Sequence, residues 1–125
     1  MHRDFRSPLR LKIIEGSALN FLEIHPYPHG IDASTVDADF ASMEWLALKR
    51  TKPILVGEFG AYHKDFPSLP AALSGMTAFI NKLPSKGTSG WIFWTWNTSY
   101  TDPVWGLWNL QDGDGLLARG LPSSH

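Results

Sequence analysis

The octapeptide Pro53-Ile54-Leu55-Val56-Gly57-Glu58-Phe59-Gly60 joins two features that pull against each other. Its Ile54-Leu55-Val56 run is apolar without alternation, the pattern of a strand covered on both faces in a parallel sheet. The run then meets a carboxylate, Glu58, at the strand's C-terminal end, flanked by Gly57 and Gly60. A charged group in that place calls for a reason. One is chemistry, as a nucleophile or general base in a cleft. The other is structural, as an ion pair or a helix-capping contact.

Working outward, residues Leu19 to Tyr27 read as a preceding strand. Phe21, Glu23, His25 and Tyr27 fall on one face and Leu22 and Ile24 on the other. Pro26 and Pro28 end it, because proline has no N–H to give to a ladder. Between the two strands, Asp32 or Ser34 can cap a helix whose apolar stripe is Val36, Phe40, Met43 and Ala47. Lys49 and Arg50 suit its last turn, and Thr51-Lys52-Pro53 ends it. On the other side, Ser68 caps a second helix with Pro70 in its first turn. Leu73, Met76, Ile80 and Leu83 form its stripe, and Pro84 and Gly87 stop it. A third strand, Gly90-Trp91-Ile92-Phe93-Trp94-Thr95-Trp96, follows. The residues beyond are rich in Gly, Asp and Trp and show no clear periodicity.

This β-α-β-α-β order predicts an α/β fold with parallel strands and right-handed crossovers. Doubly wound sheets and (β/α)8 barrels both use the unit. The dinucleotide- and phosphate-binding doubly wound sheets carry GxGxxG or GxxxxGK[ST] turns after a strand. Here HPYPHG and GEFGAY occupy those turns. The polar residues gather at strand C-terminal ends, where a barrel keeps its active site. The expectation is a partial (β/α)8 barrel, with strands over 19–27, 53–59 and 90–96.

Composition narrows the function. The chain has 125 residues, 43% hydrophobic and 18% charged, enough apolar material to build a core. A net charge of -1 and a pI near 6.5 remove the basic surface that nucleic-acid binding needs. There are no cysteines, so thiolate metal sites, disulfide scaffolds and cysteine nucleophiles are excluded. No apolar run approaches the roughly 20 residues of a membrane span. Arg3, Arg6 and Arg10 form a basic start, but Leu11-Lys12-Ile13-Ile14-Glu15 interrupts the apolar stretch a signal peptide needs, so none is read here. Localisation is otherwise open.

Two metal-like patterns fail on geometry. His25 and His29 have an HxxxH spacing, which needs a helix that Pro26 and Pro28 forbid. Asp112-Gly113-Asp114-Gly115 resembles the start of a calcium loop but lacks its terminal bidentate glutamate. It reads as a solvated turn, and no metal or other cofactor is expected. His25 and Tyr27 share a strand face and can hydrogen-bond a carboxylate on the next strand; alternatively both are satisfied core residues. Five of the six tryptophans lie from Trp91 to Trp108. They are either core or a stacking surface for flat apolar faces such as sugar rings. Trp94 shares a face with Ile92. Trp94 and Trp96 are expected on opposite sides, one flooring a sugar subsite and the other packed under the helices. Trp105 and Trp108 follow in a loop that can lengthen such a cleft.

His25-Pro26-Tyr27-Pro28, Pro53 to Gly60 and Gly90 to Trp96, in that order and spacing, resemble strands six, seven and eight of the clan A retaining glycoside hydrolases. The likeness is closest to the family five cellulases and related mannanases. It covers Leu19 to Leu117, leaving 1–18 unassigned and 118–125 as a tail. The resemblance implies that Glu58 is the catalytic nucleophile. It implies that His25 and Tyr27 line the adjoining subsite, with Tyr27 near the nucleophile's carboxylate. Trp94 would be the stacking tryptophan, with Trp96 its rival. The ligand it implies is a β-linked polysaccharide or oligosaccharide, and the full-length family is extracellular.

The chain departs severely from that family. The acid/base of the family is the glutamate of an Asn-Glu pair ending strand four, and no such pair occurs here. A whole barrel takes about 250 residues. Asp39 and Glu44 fall on the first expected helix, away from the strand ends. The reading is therefore a fragment of a β-glycan O-glycosyl hydrolase that holds the nucleophile without the acid/base and is inactive alone. Its expected protein partners are further copies of itself or a complementing N-terminal barrel part. The alternative is a non-catalytic carbohydrate-binding or interaction domain.

Overall fold

The computed structural model describes residues 16–30, 52–98 and 102–123. The helix expected from Asp32 to Arg50 lies outside them, as do Asp39 and Glu44. In chain order the described elements are β1 (Leu22–Ile24), β2 (Ile54–Phe59), β3 (Ala61–Tyr62), α1 (Leu69–Lys82), a 3-10 turn (Pro84–Lys86), β4 (Gly90–Phe93), β5 (Leu107–Trp108) and α2 (Asp112–Gly120). The fold is mixed α/β. A three-stranded sheet of order β1-β2-β4 has both pairs parallel, with Leu22 opposite Ile54 and Leu55 opposite Gly90.

The strands are shorter than the sequence pattern suggests. Pairing in β1 ends at Ile24, just before Pro26, which has no N–H to offer. In β4 it ends at Phe93, with a last bond of 2.7 Å from the Trp94 N–H to the Phe59 carbonyl. Trp94 and Trp96 therefore lie beyond the ladder, and neither packs under a helix. Both are exposed, at 48% and 61%. The expectation of opposite sides is corrected on two counts: strand alternation sends positions 92, 94 and 96 the same way, and the strand stops before it can orient the last two.

Among the described residues the core lies on one side of the sheet. Ile54, Val56 and Phe59 are fully buried against Met76, Phe79 and Ile80 of α1. Leu55, expected to be covered as well, is only half-buried. An unbroken apolar run permits covering on both faces but does not itself supply either layer. Among the described residues the layer is helical on one side, and Phe21, just before β1, and Ile92 of β4 remain exposed.

A local irregularity decides where Glu58 points. With Ile54 and Val56 turned to the core, plain alternation would send residue 58 the same way. The β2–β4 register shifts between Val56 and Phe59. Such a bulge re-aims side chains. Here it returns Phe59 to the core and leaves Gly57 and Glu58 half-buried.

Helix α1 follows its sequence signals. The Ser68 side chain accepts a hydrogen bond from the Ala71 N–H, and Pro70 sits in the first turn, where its missing N–H costs nothing. Met76, Ile80 and Leu83 of the expected stripe are buried, joined by Ala72, Gly75 and Phe79. Leu73 packs at the edge of the core. Gly87, with φ of 70°, makes the left-handed exit that glycine permits.

Three features carry no periodic signal. Two-residue strands β3 and β5 pair antiparallel, with Ala61 opposite Trp108. In α2, Gly113, Asp114 and Gly115 all have left-handed dihedrals, so the DGDG stretch is a turn that feeds a short helix. The Asp112 carboxylate accepts the Asn109 N–H at 2.7 Å, and Leu117 anchors the end to the core.

The third feature is Lys52. Its ammonium is buried and donates to the Ser17 carbonyl (2.7 Å), the Ser17 hydroxyl (3.0 Å) and the Leu19 carbonyl (2.9 Å). It ties the segment entering β1 to the start of β2. Lys52→Met keeps the apolar stem but strands these oxygens. An unsatisfied buried polar group costs about 1–3 kcal/mol. We expect denaturant melts of Lys52→Met to show a loss of that size.

Candidate functional site

The site is built by the C-terminal ends of β1 and β2. Pro26 and Pro28 hold the chain extended past β1, so Tyr27 stays on the face that carries His25. Glu58 is presented to that face by the bulge in β2. The Tyr27 hydroxyl donates a hydrogen bond to Glu58 Oε1. Near its second oxygen, Oε2, stands His25 Nδ1, 3.7 Å away and outside hydrogen-bond reach. The sequence-predicted trio of Glu58, Tyr27 and His25 is thus brought together. Their being core residues is excluded for His25, which is 44% exposed in its side chain.

Both glycines beside Glu58 are explained by close approaches. A Cβ on Gly60 would fall against the Trp94 backbone carbonyl. A Cβ on Gly57 would fall inside the Glu23 side chain, which lies across that position. Glu23 in turn meets His25 Nε2 at 2.6 Å.

Sequence reading missed Tyr62. Its ring stacks on Tyr27 at 4.8 Å between centroids, with 27° between planes. Trp105 meets Tyr62 edge-on at 5.7 Å, and the Lys64 ammonium sits 3.8 Å from the Trp105 ring centre. Aromatic rings therefore run from the Glu58 carboxylate outward through Tyr27 and Tyr62 to Trp105. The signal available for Tyr62 is its place four residues after a strand-end glutamate, at the end of Gly60-Ala61-Tyr62, which is weak. Of the other tryptophans, Trp91 packs on Phe59 and belongs to the core. Trp108 is also structural: its indole N–H donates to the Phe66 carbonyl at 2.9 Å. Only Trp105 extends the exposed aromatic surface as expected of that pair. The Trp94–Thr95 peptide bond is cis.

The electrostatics follow from burial beside a carboxylate. Desolvation first, then the hydrogen bond to Glu58 and its charge, push the Tyr27 hydroxyl far above the ordinary tyrosine value. Tyr62 is raised for the same leading reason, with the charges of Glu58 and Asp65 adding to it. Tyr27 is thus a fixed donor. As pH rises past about 10, the unfolded state loses this proton while the folded state keeps it, so folding stability falls. We expect thermal melts between pH 9 and pH 12 to show an alkaline decline that is shallower in Tyr27→Phe.

What the arrangement can do is hold a carboxylate with one oxygen tied and the other open, beside aromatic rings. That suits attack on, or hydrogen bonding to, a ligand of alternating polar and apolar faces. Among the described residues, no three His, Asp or Glu side chains gather as metal ligands. No helix there is long and apolar enough to cross a membrane. Comparison with protein-family models, curated proteins and solved structures finds no match to this chain.

Proposed function

We propose that the chain is the C-terminal strand–helix part of a (β/α)8 barrel from a β-glycan O-glycosyl hydrolase of the retaining, cellulase-like type. Glu58 is its nucleophile, His25 and Tyr27 line the subsite, and Trp94 and Trp96 supply stacking surface. The observation that carries this reading is the Tyr27 hydroxyl on Glu58 Oε1 at the C-terminal ends of parallel strands. A barrel places its chemistry at that end. The sheet order β1-β2-β4 also advances in one direction, as successive barrel strands do. Exposed Phe21 and Ile92 give a surface for a complementing N-terminal barrel part, or for further copies of the chain.

The exposure of Trp94 and Trp96 supports a second reading, glycan binding without catalysis. Titration with β-1,4-linked gluco- and manno-oligosaccharides, followed by NMR, separates the two. A single short cleft should bind near the millimolar range, about -4 kcal/mol. For the hydrolase reading, signals of His25, Tyr27 and both tryptophan indoles move together. Movement of Trp94 and Trp96 alone favours the binding module. No movement of any of them overturns both.

A further inference from the structure

The Glu23 carboxylate is placed where nothing in the strand pattern demands it. It lies across the bare Cα of Gly57 and ends 2.6 Å from His25 Nε2. His25 is thereby turned so that Nδ1 faces Glu58 Oε2 from 3.7 Å, while Tyr27 holds Oε1. We propose that Glu23 is a positioning residue: seated on Gly57, it holds the His25 ring back from Glu58 and so keeps Oε2 the open, reactive oxygen.

The physical argument is a competition between two acceptors for one ring. Glu23 and Glu58 flank the imidazole on its two nitrogens. The ring makes its short bond to Glu23 and stops short of bonding distance to Glu58. Of the other titratable groups facing Glu58, Tyr27 is committed to Oε1, and Tyr62, stacked on Tyr27, feels the carboxylate's charge. Without Glu23, the imidazole has one carboxylate left to bond, and a donor on Oε2 would tie up the lone pair that attack requires. Gly57 belongs to the same device, because any Cβ there displaces Glu23. This inference deepens the reading of Glu58 as the reacting carboxylate. It can be tested on the carboxylate itself, with no glycan present.

The probe is glycidol, a small neutral epoxide. A carboxylate oxygen attacks a ring carbon, the C–O ester bond forms as the ring C–O bond breaks, and the released alkoxide takes a proton from water. Peptide mapping by mass spectrometry reads the labelling rate at Glu58 separately from that at Glu23. The wild-type chain is expected to label at Glu58. Glu23→Ala and Gly57→Ala should each slow that labelling about tenfold, the effect of one added hydrogen bond to a charged group. Glu23→Gln, which keeps an acceptor for Nε2, should label near the wild-type rate. Removing the ring as well, in Glu23→Ala with His25→Ala, should restore it.

A purely structural role gives the opposite sign, because loosening the site exposes Glu58 and speeds labelling. Wild-type or faster labelling in Glu23→Ala overturns the proposal, as does failure of the His25→Ala partner change to restore the rate. So does a wild-type chain that does not label at Glu58. If Glu23→Ala loses the helical circular dichroism of α1, Gly57→Ala decides, and wild-type labelling in that folded variant overturns the proposal. Failure of every glycan to bind would remove the hydrolase reading and leave this comparison of rates intact.

Discussion

Phe59→Ala is expected to leave a chain that does not fold at 25 °C. Phe59 is fully buried at the point where the sheet meets α1. Its ring touches Phe79 at 4.7 Å, Phe93 at 5.4 Å and Trp91 at 5.6 Å between centroids. One truncation therefore removes the shared neighbour of three aromatic side chains from two elements. Phe→Ala in a core costs about 3–5 kcal/mol. Domains of ordinary stability have about 5–15 kcal/mol in all. With helical cover on one sheet face only among the described residues, this chain belongs at the low end. Circular dichroism at 222 nm and the near-ultraviolet aromatic signal should both collapse. Phe59→Leu keeps most of the volume, should cost less than about 1.5 kcal/mol, and should stay folded. Equal behaviour of the two variants would mean that the cavity is not what matters.

The same residue shows where sequence reading succeeds and where it stops. Pro53 to Gly60 is legible as a strand because its apolar residues are consecutive, and Glu58 is legible as unusual because a carboxylate ends the run. What cannot be read is which way Glu58 faces. Alternation from Ile54 and Val56 sends it into the core, and the bulge that prevents this arises from pairing with β4, a segment more than thirty residues away in sequence. Tertiary pairing overrides local period.

Helix α1 was legible in detail because its signals are local: Ser68, Pro70 and Gly87 each act within one turn. The β3–β5 pair was not, since two residues make no period. Trp94 and Trp96 are legible as important but their opposite orientation is wrong: alternation puts both on the Ile92 side, and the ladder ends at Phe93 before it can orient either. Glu23 appeared only as an oddity on a polar face. Its partners, Gly57 and His25, become visible only when β1 lies beside β2. Lys52 reads as part of the Thr51-Lys52-Pro53 helix stop and acts instead as a buried three-way donor.

The chain alone is expected to show no measurable turnover of β-1,4-glucans or mannans. In the proposed reading Glu58 supplies attack, with Tyr27 on one oxygen and the other open. Retaining hydrolysis also needs a second carboxyl group about 5–5.5 Å away to protonate the leaving oxygen. The Glu23 carboxylate, which shares His25 with Glu58, is engaged by that ring at 2.6 Å. General acid/base assistance is worth about 10²–10⁴-fold. Subsites outside these strands would supply the binding energy that distorts and orients the sugar, so their loss lowers the rate further. Aryl glycosides with activated leaving groups need little proton help and are the most favourable substrates. Even with them, the short cleft should hold the sugar too loosely for reaction. Adding in trans a barrel part that carries an Asn-Glu pair should restore hydrolysis, and Glu58→Gln should abolish what is restored. Turnover by the isolated chain that Glu58→Gln removes would show that a proton donor is already present. Restored turnover that survives Glu58→Gln would instead dismiss Glu58 as the nucleophile.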